Sequence, residues 1–246
     1  KSSWDLSAPG RQGLVLSVSS PTRAAKAFKE MLVAAWDEDK YMDINYSLVD
    51  GPKGRTRTAS GVEFTGVNEM SVRGLTQREE VFRSNLIAQW ADSGNPVFRT
   101  IGQVIKSSER AYVTYLNSLR AGVFDAMTGL DDAGRVTAGY NQAELKFIGE
   151  FINRATGRGS FGPLESPVVS KGMAKVMYAP RLKMSRFQTA LHATKFWGSG
   201  RGVKWNSKAR LAVAKQYWLQ SVAPRLALMW IADSMGHDVG GDHEAG

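Results

Sequence analysis

Residues 151–162 read Phe-Ile-Asn-Arg-Ala-Thr-Gly-Arg-Gly-Ser-Phe-Gly, the end of an amphipathic helix followed by a glycine-rich turn. Gly157 suits the position just after a helix, because glycine adopts a positive φ angle at little cost. Asn153 and Thr156 can hydrogen-bond to neighbouring backbone groups, which also favours a helix end at this point. The two arginines of the stretch have two interpretations: they bind phosphate or a partner's carboxylate, or they are solvated beside an ordinary helix end.

This stretch lies in a strongly basic part of the chain. Residues 146–225 carry fifteen lysine and arginine residues against two acids, Glu150 and Glu165, a net charge of +13. The rest of the 246-residue chain carries seventeen basic and twenty-one acidic residues, so the basic block accounts for the whole formal charge of +9. A block of this charge predicts an anionic partner or an anionic surface.

Aromatic residues alternate with the cations of the basic block, for example Phe187, Trp197 and Trp218. Cations that follow a phosphate backbone, together with rings that stack on bases, are typical of nucleic-acid binding. The alternative is that the rings form the core and the cations are solvated at the surface. The cations that we predict to contact nucleic acid or a partner protein are Arg154, Arg158, Lys171, Lys175, Arg181, Lys183, Arg186, Lys195, Arg201, Lys204, Lys208 and Arg210.

Helical periodicity dominates the pattern of apolar residues. Apolar positions from Phe98 to Val123 recur at helical spacing and predict one long helix that begins after Pro96. The fold class is therefore mainly α, an irregular assembly of several helices with long loops. The other predicted helices cover about residues 21–36, a second piece that ends near Val49, about residues 141–156, a helix from about Pro180, and a helix from Ser207 to about Met235 that is kinked at Pro224.

Residues 50–74 are rich in glycine, threonine and serine, which predicts a long surface loop, with a short β-hairpin as the alternative. A loop of this length predicts packing against a partner rather than against its own chain. A capping box at Thr76-Gln77-Arg78-Glu79 then predicts a further helix that reaches Trp90.

The chain divides into an N-terminal helical region, residues 1–139, and a basic helical region, residues 140–246, with one continuous domain as the alternative. The second region ends in an amphipathic helix that contains Pro224. The polar residues within that helix, among them Arg225 and Asp233, favour a helix at a membrane surface or inside an assembly over one that spans a bilayer. The chain begins at Lys1 without a signal peptide, so we interpret it as part of a longer polypeptide.

Side chains for catalysis or metal binding are scarce. The chain has no cysteine and three histidines, of which His192 stands alone in a predicted helix and His237 and His243 lie in a glycine- and aspartate-rich tail. No phosphate-binding loop, nucleophile elbow, zinc-binding helix or dinucleotide-binding pattern is present. The sequence therefore predicts no catalytic residues, no metal site and no cofactor, and the expected function is not enzymatic.

Four short stretches of the chain occur in a characteristic order. They are Asp5–Gly13, the helix from Ser108 to Arg120, Ile152–Gly159, and Tyr178–Arg186. The chain resembles, over residues 5–242, a domain found in the large polyvalent proteins of tailed bacteriophages. The positions that carry the resemblance, or that we interpret as structural, are Asp5, Arg11, Gln12, Arg110, Asn117, Arg120, Asn153, Thr156, Gly157, Gly159, Pro180 and Ser185.

The resemblance implies a non-catalytic module of an internal virion protein, or ejection protein, that assembles near the portal or the genome and assists DNA delivery. It implies other copies of the chain, the portal or other ejection proteins, and genomic DNA as partners, with the host membrane surface as a further candidate. The expected location is the virion interior, followed by the host envelope or cytoplasm on infection. The alternative function is a nucleic-acid-binding module of a larger virion-delivered enzyme such as a polymerase. On the first hypothesis, the arginines that contact other subunits or DNA are Arg11, Arg110, Arg120, Arg154, Arg158, Arg181 and Arg186.

Overall fold

The computed structural model describes residues 13–65, 94–158, 180–194, 203–204 and 206–235. Within these ranges the protein is mainly helical and has no β-strand, which confirms the predicted fold class. An isolated antiparallel bridge joins Leu130 to Val136 in the loop before the sixth helix. The helices of the described residues are α1 (Leu14–Ser19), α2 (Pro21–Trp36), α3 (Glu38–Val49), α4 (Gly51–Ala59), α5 (Pro96–Thr128), α6 (Gln142–Ala155), α7 (Pro180–Ala193), α8 (Lys208–Ser221) and α9 (Ala223–Ser234).

The long helix α5 is the axis of the fold. Its 33 residues span about 50 Å at 1.5 Å per residue. Helix α2 runs antiparallel to it, because the hydroxyl of Ser107 donates to the carbonyl of Ala35 at 2.6 Å, whereas Gly122 lies beside Arg23. The N-terminal turns of α5 therefore extend beyond the end of α2.

One hydrophobic core connects the two halves of the chain. Its largest buried side chains come from α5 and α6, which pack against each other, and further members come from α2 and α8. The core thus includes residues on both sides of position 139, the boundary between the two regions predicted from the sequence. Core residues of the four helices include Ala27, Met31, Tyr115, Leu116, Leu119, Phe124, Phe147, Ile148, Phe151, Ile152, Ala209 and Val213.

The prediction of a surface loop at residues 50–74 is wrong for the first part of this range. Residues 51–59 form α4, and the following segment is buried, with Val62 and Phe64 in the core. Arg57 explains this placement, because its guanidinium donates to both carboxylate oxygens of Asp125 at 2.8 and 2.6 Å and to the carbonyl of Leu48 at 2.8 Å. The segment packs on its own chain rather than on a partner, and residues 51–65 contain no hairpin strand. Residues 66–93, with the predicted capping box and helix, lie outside the described residues.

The predicted ends of several other helices are confirmed. Helix α2 covers residues 21–36 as predicted, and the side chain of Asp37 then caps α3 by accepting a hydrogen bond from the Lys40 amide at 3.0 Å. Asn141 and Glu144 form a capping box at the start of α6. The single helix predicted from Ser207 to about Met235, with a kink at Pro224, is instead divided at Val222 into α8 and α9, and Pro224 lies in the first turn of α9. Among the described residues, no helix has both the length and the apolar content that crossing a bilayer requires.

Candidate functional site

The motif residues of α5 and α6 meet inside the protein. Asn117 and Arg120 lie three residues apart on one face of α5, and both side chains are fully buried. Arg120 donates from Nε to the hydroxyl of Thr156 at 2.8 Å and from Nη1 to Oδ1 of Asn117 at 3.2 Å. The long helix and the end of α6 are therefore joined by the hydrogen bond between Arg120 and Thr156.

Asn117 binds the backbone of the extended segment that follows α4. Its Oδ1 accepts from the amide of Thr65 at 3.0 Å, and its Nδ2 donates to the Thr65 carbonyl at 2.9 Å. The same Nδ2 group donates to Oδ1 of Asn45 at 2.8 Å, and Asn45 in turn donates to the hydroxyl of Thr114 at 3.0 Å. One side-chain amide thus satisfies both backbone groups of a buried residue, as a neighbouring strand would in a sheet.

Asn153 of α6 binds the beginning of the same segment. Its Oδ1 accepts from the amide of Glu63 at 3.1 Å, and its Nδ2 donates to the carbonyl of Gly61 at 2.8 Å. Residues 61–65 are therefore bound at one end by Asn153 and at the other by Asn117. The sequence predicted a helix-ending role for Asn153, whereas its side chain reaches a segment ninety residues earlier in the chain.

The glycine turn after α6 directs Arg158 into the protein. Gly157 has a φ angle of 91°, as predicted for the residue that ends the helix, and the amide of Arg158 donates to the carbonyl of Asn153 at 3.0 Å. The Arg158 guanidinium then donates to Glu63 at 3.1 Å and to the hydroxyl of Thr65. We name this set the polar network; apart from the half-buried Glu63, its members are buried, and they are Asn45, Glu63, Thr65, Thr114, Asn117, Arg120, Asn153, Thr156 and Arg158.

Replacing Asn153 by alanine is expected to speed amide hydrogen exchange in residues 61–65 by roughly tenfold or more. The substitution removes the side-chain partners of two backbone groups, and each such loss costs about 1–3 kcal/mol, where 1.4 kcal/mol corresponds to a factor of ten. Hydrogen–deuterium exchange of peptides that cover this segment measures the effect. The exposed Asn206, replaced by alanine, serves as the control and should leave the exchange unchanged. Equal exchange in both variants would contradict a binding role for Asn153.

His192 of α7 is buried against α6. Its Nε2 donates to the carbonyl of Phe147 at 3.0 Å, and its Nδ1 accepts from Arg154 at 2.5 Å. The imidazole stacks on the ring of Phe147 with 4.0 Å between centroids, and the guanidinium of Arg210 lies 5.0 Å from the same centroid. Burial, with the charges of Arg154 and Arg210, lowers the pKa of His192 to about 3. The histidine is therefore neutral at ordinary pH and has both ring nitrogens occupied.

A cleft of about 390 Å³ separates the loop before α6 from the start of α8. Asn141 and Ser207, the cap residues of these two helices, line it. The exposed lysines Lys204 and Lys208 also line it, and Glu144 contributes a carboxylate. The cleft thus combines two cations with one anion.

The predicted contact cations lie in different environments. Arg186, Lys204 and Lys208 are exposed, whereas Arg154 is largely buried and lies 3.4 Å from Glu150. Arg158 and Arg210 are buried within one chain, so we remove both from the predicted contact surface. Arg181 and Lys183 belong to α7, and the cations that lie outside the described residues are Lys171, Lys175, Lys195 and Arg201.

The remaining motif positions that the structure describes also contact or pack within the same chain. Arg110 donates to the carbonyls of Ala34 and Ala35 at the end of α2, and to Glu38 at 3.1 Å. The burial of Arg120 likewise contradicts its predicted contact with DNA or another subunit, because its guanidinium binds groups of the same chain. Pro180 begins α7 and Ser185 is buried in it, whereas Asp5, Arg11, Gln12 and Gly159 lie outside the described residues.

Neither the side chains of the described residues nor a comparison with known proteins identifies a reaction for this chain. In the part of the chain that the structure describes, no group of three or more histidine, aspartate or glutamate side chains is placed to hold a metal ion. Comparison of the chain with protein-family models, curated protein sequences and solved structures found no match.

Proposed function

We propose that the chain is a non-enzymatic structural module of an internal virion protein of tailed bacteriophages. It assembles near the portal or the genome and assists delivery of DNA into the host. The observation that supports this proposal is the division of its side chains: the motif residues of the polar network bind groups of the same chain, whereas large apolar side chains face outward.

The first part of this observation concerns the motif residues of the polar network, whose side chains are buried. Asn117, Arg120, Asn153 and Thr156 carry the resemblance to the phage domain, and each of them is buried and hydrogen-bonded within the chain. Polar side chains that are fixed in this way define a fold rather than meet a substrate. His192 supports the same conclusion, because a neutral imidazole with both nitrogens occupied has no free position for proton transfer.

The second part of this observation concerns the aromatic and aliphatic side chains that are exposed at the surface. Trp36 at the end of α2 is 82% exposed, and Trp230 of α9 is 71% exposed. Val97 and Phe98 project from the N-terminal turns of α5, beyond the end of α2. Contiguous apolar side chains at a surface mark interaction sites, and Trp36 and Trp230 each have an exposed leucine one turn away, Leu32 and Leu226. A module that assembles with other virion components binds them through such surfaces.

A second candidate function is a nucleic-acid-binding module of a larger virion-delivered enzyme. It is favoured by the two exposed lysines, Lys204 and Lys208, that line the cleft at the start of α8. DNA binding through such cations predicts a steep fall in affinity with rising salt, whereas an assembly module that does not contact DNA shows no affinity to lose. Titration of labelled duplex DNA at several salt concentrations separates the two candidates.

Mass spectrometry of purified phage particles tests the virion assignment. Full particles should contain tryptic peptides of the chain, such as the one from Phe147 to Arg154, and particles emptied of DNA should lack them. Major capsid peptides serve as the internal control, because they persist in both preparations. Absence of the chain from full particles would remove the virion assignment, and salt-dependent DNA binding would then decide the function.

A further inference from the structure

We infer that copies of this chain pair head to tail, with the corner between α2 and α3 of one copy bound to the α8–α9 face of the next. This inference rests on the proposed assembly role and names the partner as a second copy of the chain. Both surfaces are apolar and exposed, and they carry opposite charge.

The first surface is the α2–α3 corner, which surrounds Asp37. Leu32 and Trp36 occupy one stripe of α2, four residues apart, and are 43% and 82% exposed. Met42 of α3 is 39% exposed and lies on the same face of that helix as Asp39 and Asp43. All of these residues lie within two helical turns of the junction between the two helices.

The corner has a negative charge. Its four carboxylates are Asp37, Glu38, Asp39 and Asp43. Two cations neutralise part of this charge: Lys40 lies 3.6 Å from Asp43, and Arg110 lies 3.1 Å from Glu38. The corner therefore retains a net charge of −2.

The second surface is the α8–α9 face. The spacings between consecutive members are seven, three, eight and four residues, which places them on one side of the two consecutive helices; the members are Lys208, Lys215, Trp218, Leu226 and Trp230. The side is continuous across the interruption, because the Val222 amide donates to the Trp218 carbonyl and the Leu226 amide donates to the Val222 carbonyl, both at 3.0 Å. The three apolar side chains are 55%, 52% and 71% exposed.

This face has a positive charge. The charged residues that share this helical spacing are Lys208, Lys215 and Asp233, which give the face a net charge of +1. Lys208 and Lys215 are exposed beside the apolar side chains. Unlike charges at two apolar surfaces favour contact between the corner and the face over contact of either surface with itself, because like charges opposite each other are unfavourable.

Head-to-tail pairing leaves one corner and one face free at the ends of every open assembly. Such a contact is heterologous, so association continues until a ring closes or a filament forms. A symmetric dimer is not the expected end state, since neither surface is complementary to itself.

Two blocked variants of the 246-residue chain test the pairing. Trp36→Lys places a cation in the acidic corner, where it repels the basic face, and Trp230→Asp places a carboxylate in the basic face, where it repels the acidic corner, each at an exposed position that the core does not need. In sedimentation velocity, the unmodified chain should form species larger than a dimer that grow with concentration. Each variant alone should remain monomeric, because only one of its two binding surfaces is intact. An equimolar mixture should form a one-to-one dimer that does not grow, through the intact face of the first variant and the intact corner of the second.

The control is Phe187→Asp, which introduces the same charge as Trp230→Asp at a side chain that is 63% exposed and lies outside both surfaces. It should assemble as the unmodified chain does. The inference is overturned if the unmodified chain stays monomeric, if either blocked variant still assembles alone, or if the mixture contains only monomers. Failure here leaves the virion assignment intact, because that assignment depends on the content of particles and not on self-association in solution.

Discussion

Replacement of Asn117 by leucine is expected to lower the free energy of unfolding by about 4 kcal/mol. The side-chain amide exchanges hydrogen bonds with both backbone groups of Thr65, donates to Asn45 and accepts from Arg120. Leucine has a similar volume, so the loss comes from buried polar groups deprived of these bonds rather than from a cavity. Each such group costs about 1–3 kcal/mol, and several groups lose a partner at once.

Urea denaturation followed by tryptophan fluorescence measures this loss. The matched control is Gln103→Leu, which makes the same kind of change on the same helix at an exposed position and should stay within about 0.5 kcal/mol of the unmodified chain. A loss below about 1 kcal/mol for the Asn117 variant would show that the polar network contributes little to stability. The two variants thus separate the effect of the network from the effect of an added apolar side chain on α5.

The sequence was sufficient for the main helices, because their apolar residues recur at helical spacing and their ends carry local signals. Helix α5 illustrates the first point, since its apolar stripe predicts a helix that begins at Pro96. Helix α6 illustrates the second, because Gly157 ends it as predicted and takes a positive φ angle. Spacing and turn chemistry are properties of neighbouring residues, so a single sequence reveals them.

The sequence was insufficient where burial depends on a distant partner. Residues 50–65 are polar and glycine-rich, which predicts a surface loop, but Arg57 is buried by an ion pair with Asp125, sixty-eight residues away. The same applies to Asn117 and Arg120, whose partners belong to a different part of the chain. Their spacing shows that they share a face of α5, yet only the fold shows that this face meets the segment at 61–65 and the end of α6.

Acidification is expected to destabilise the protein through His192. Its pKa is about 3 in the folded protein and 6.5 in the unfolded chain, so between these values the unfolded chain binds a proton that the folded protein does not. The free energy of unfolding therefore falls as the pH falls through this window, by up to about 1.4 kcal/mol per pH unit. Between pH 6.5 and pH 4.5 the expected loss is about 2–3 kcal/mol.

The variant His192→Gln isolates this contribution from the carboxylates, which also titrate at acidic pH. A glutamine amide can accept from Arg154 and donate to the Phe147 carbonyl, as the imidazole does, but it does not bind a proton in this range. The stability of the unmodified chain, measured relative to this variant by urea denaturation, should therefore decline by about 2–3 kcal/mol from pH 6.5 to pH 4.5 and be constant above pH 7. A difference that does not depend on pH would mean that His192 takes up a proton in the folded protein, which is incompatible with an imidazole buried between Phe147 and two arginines.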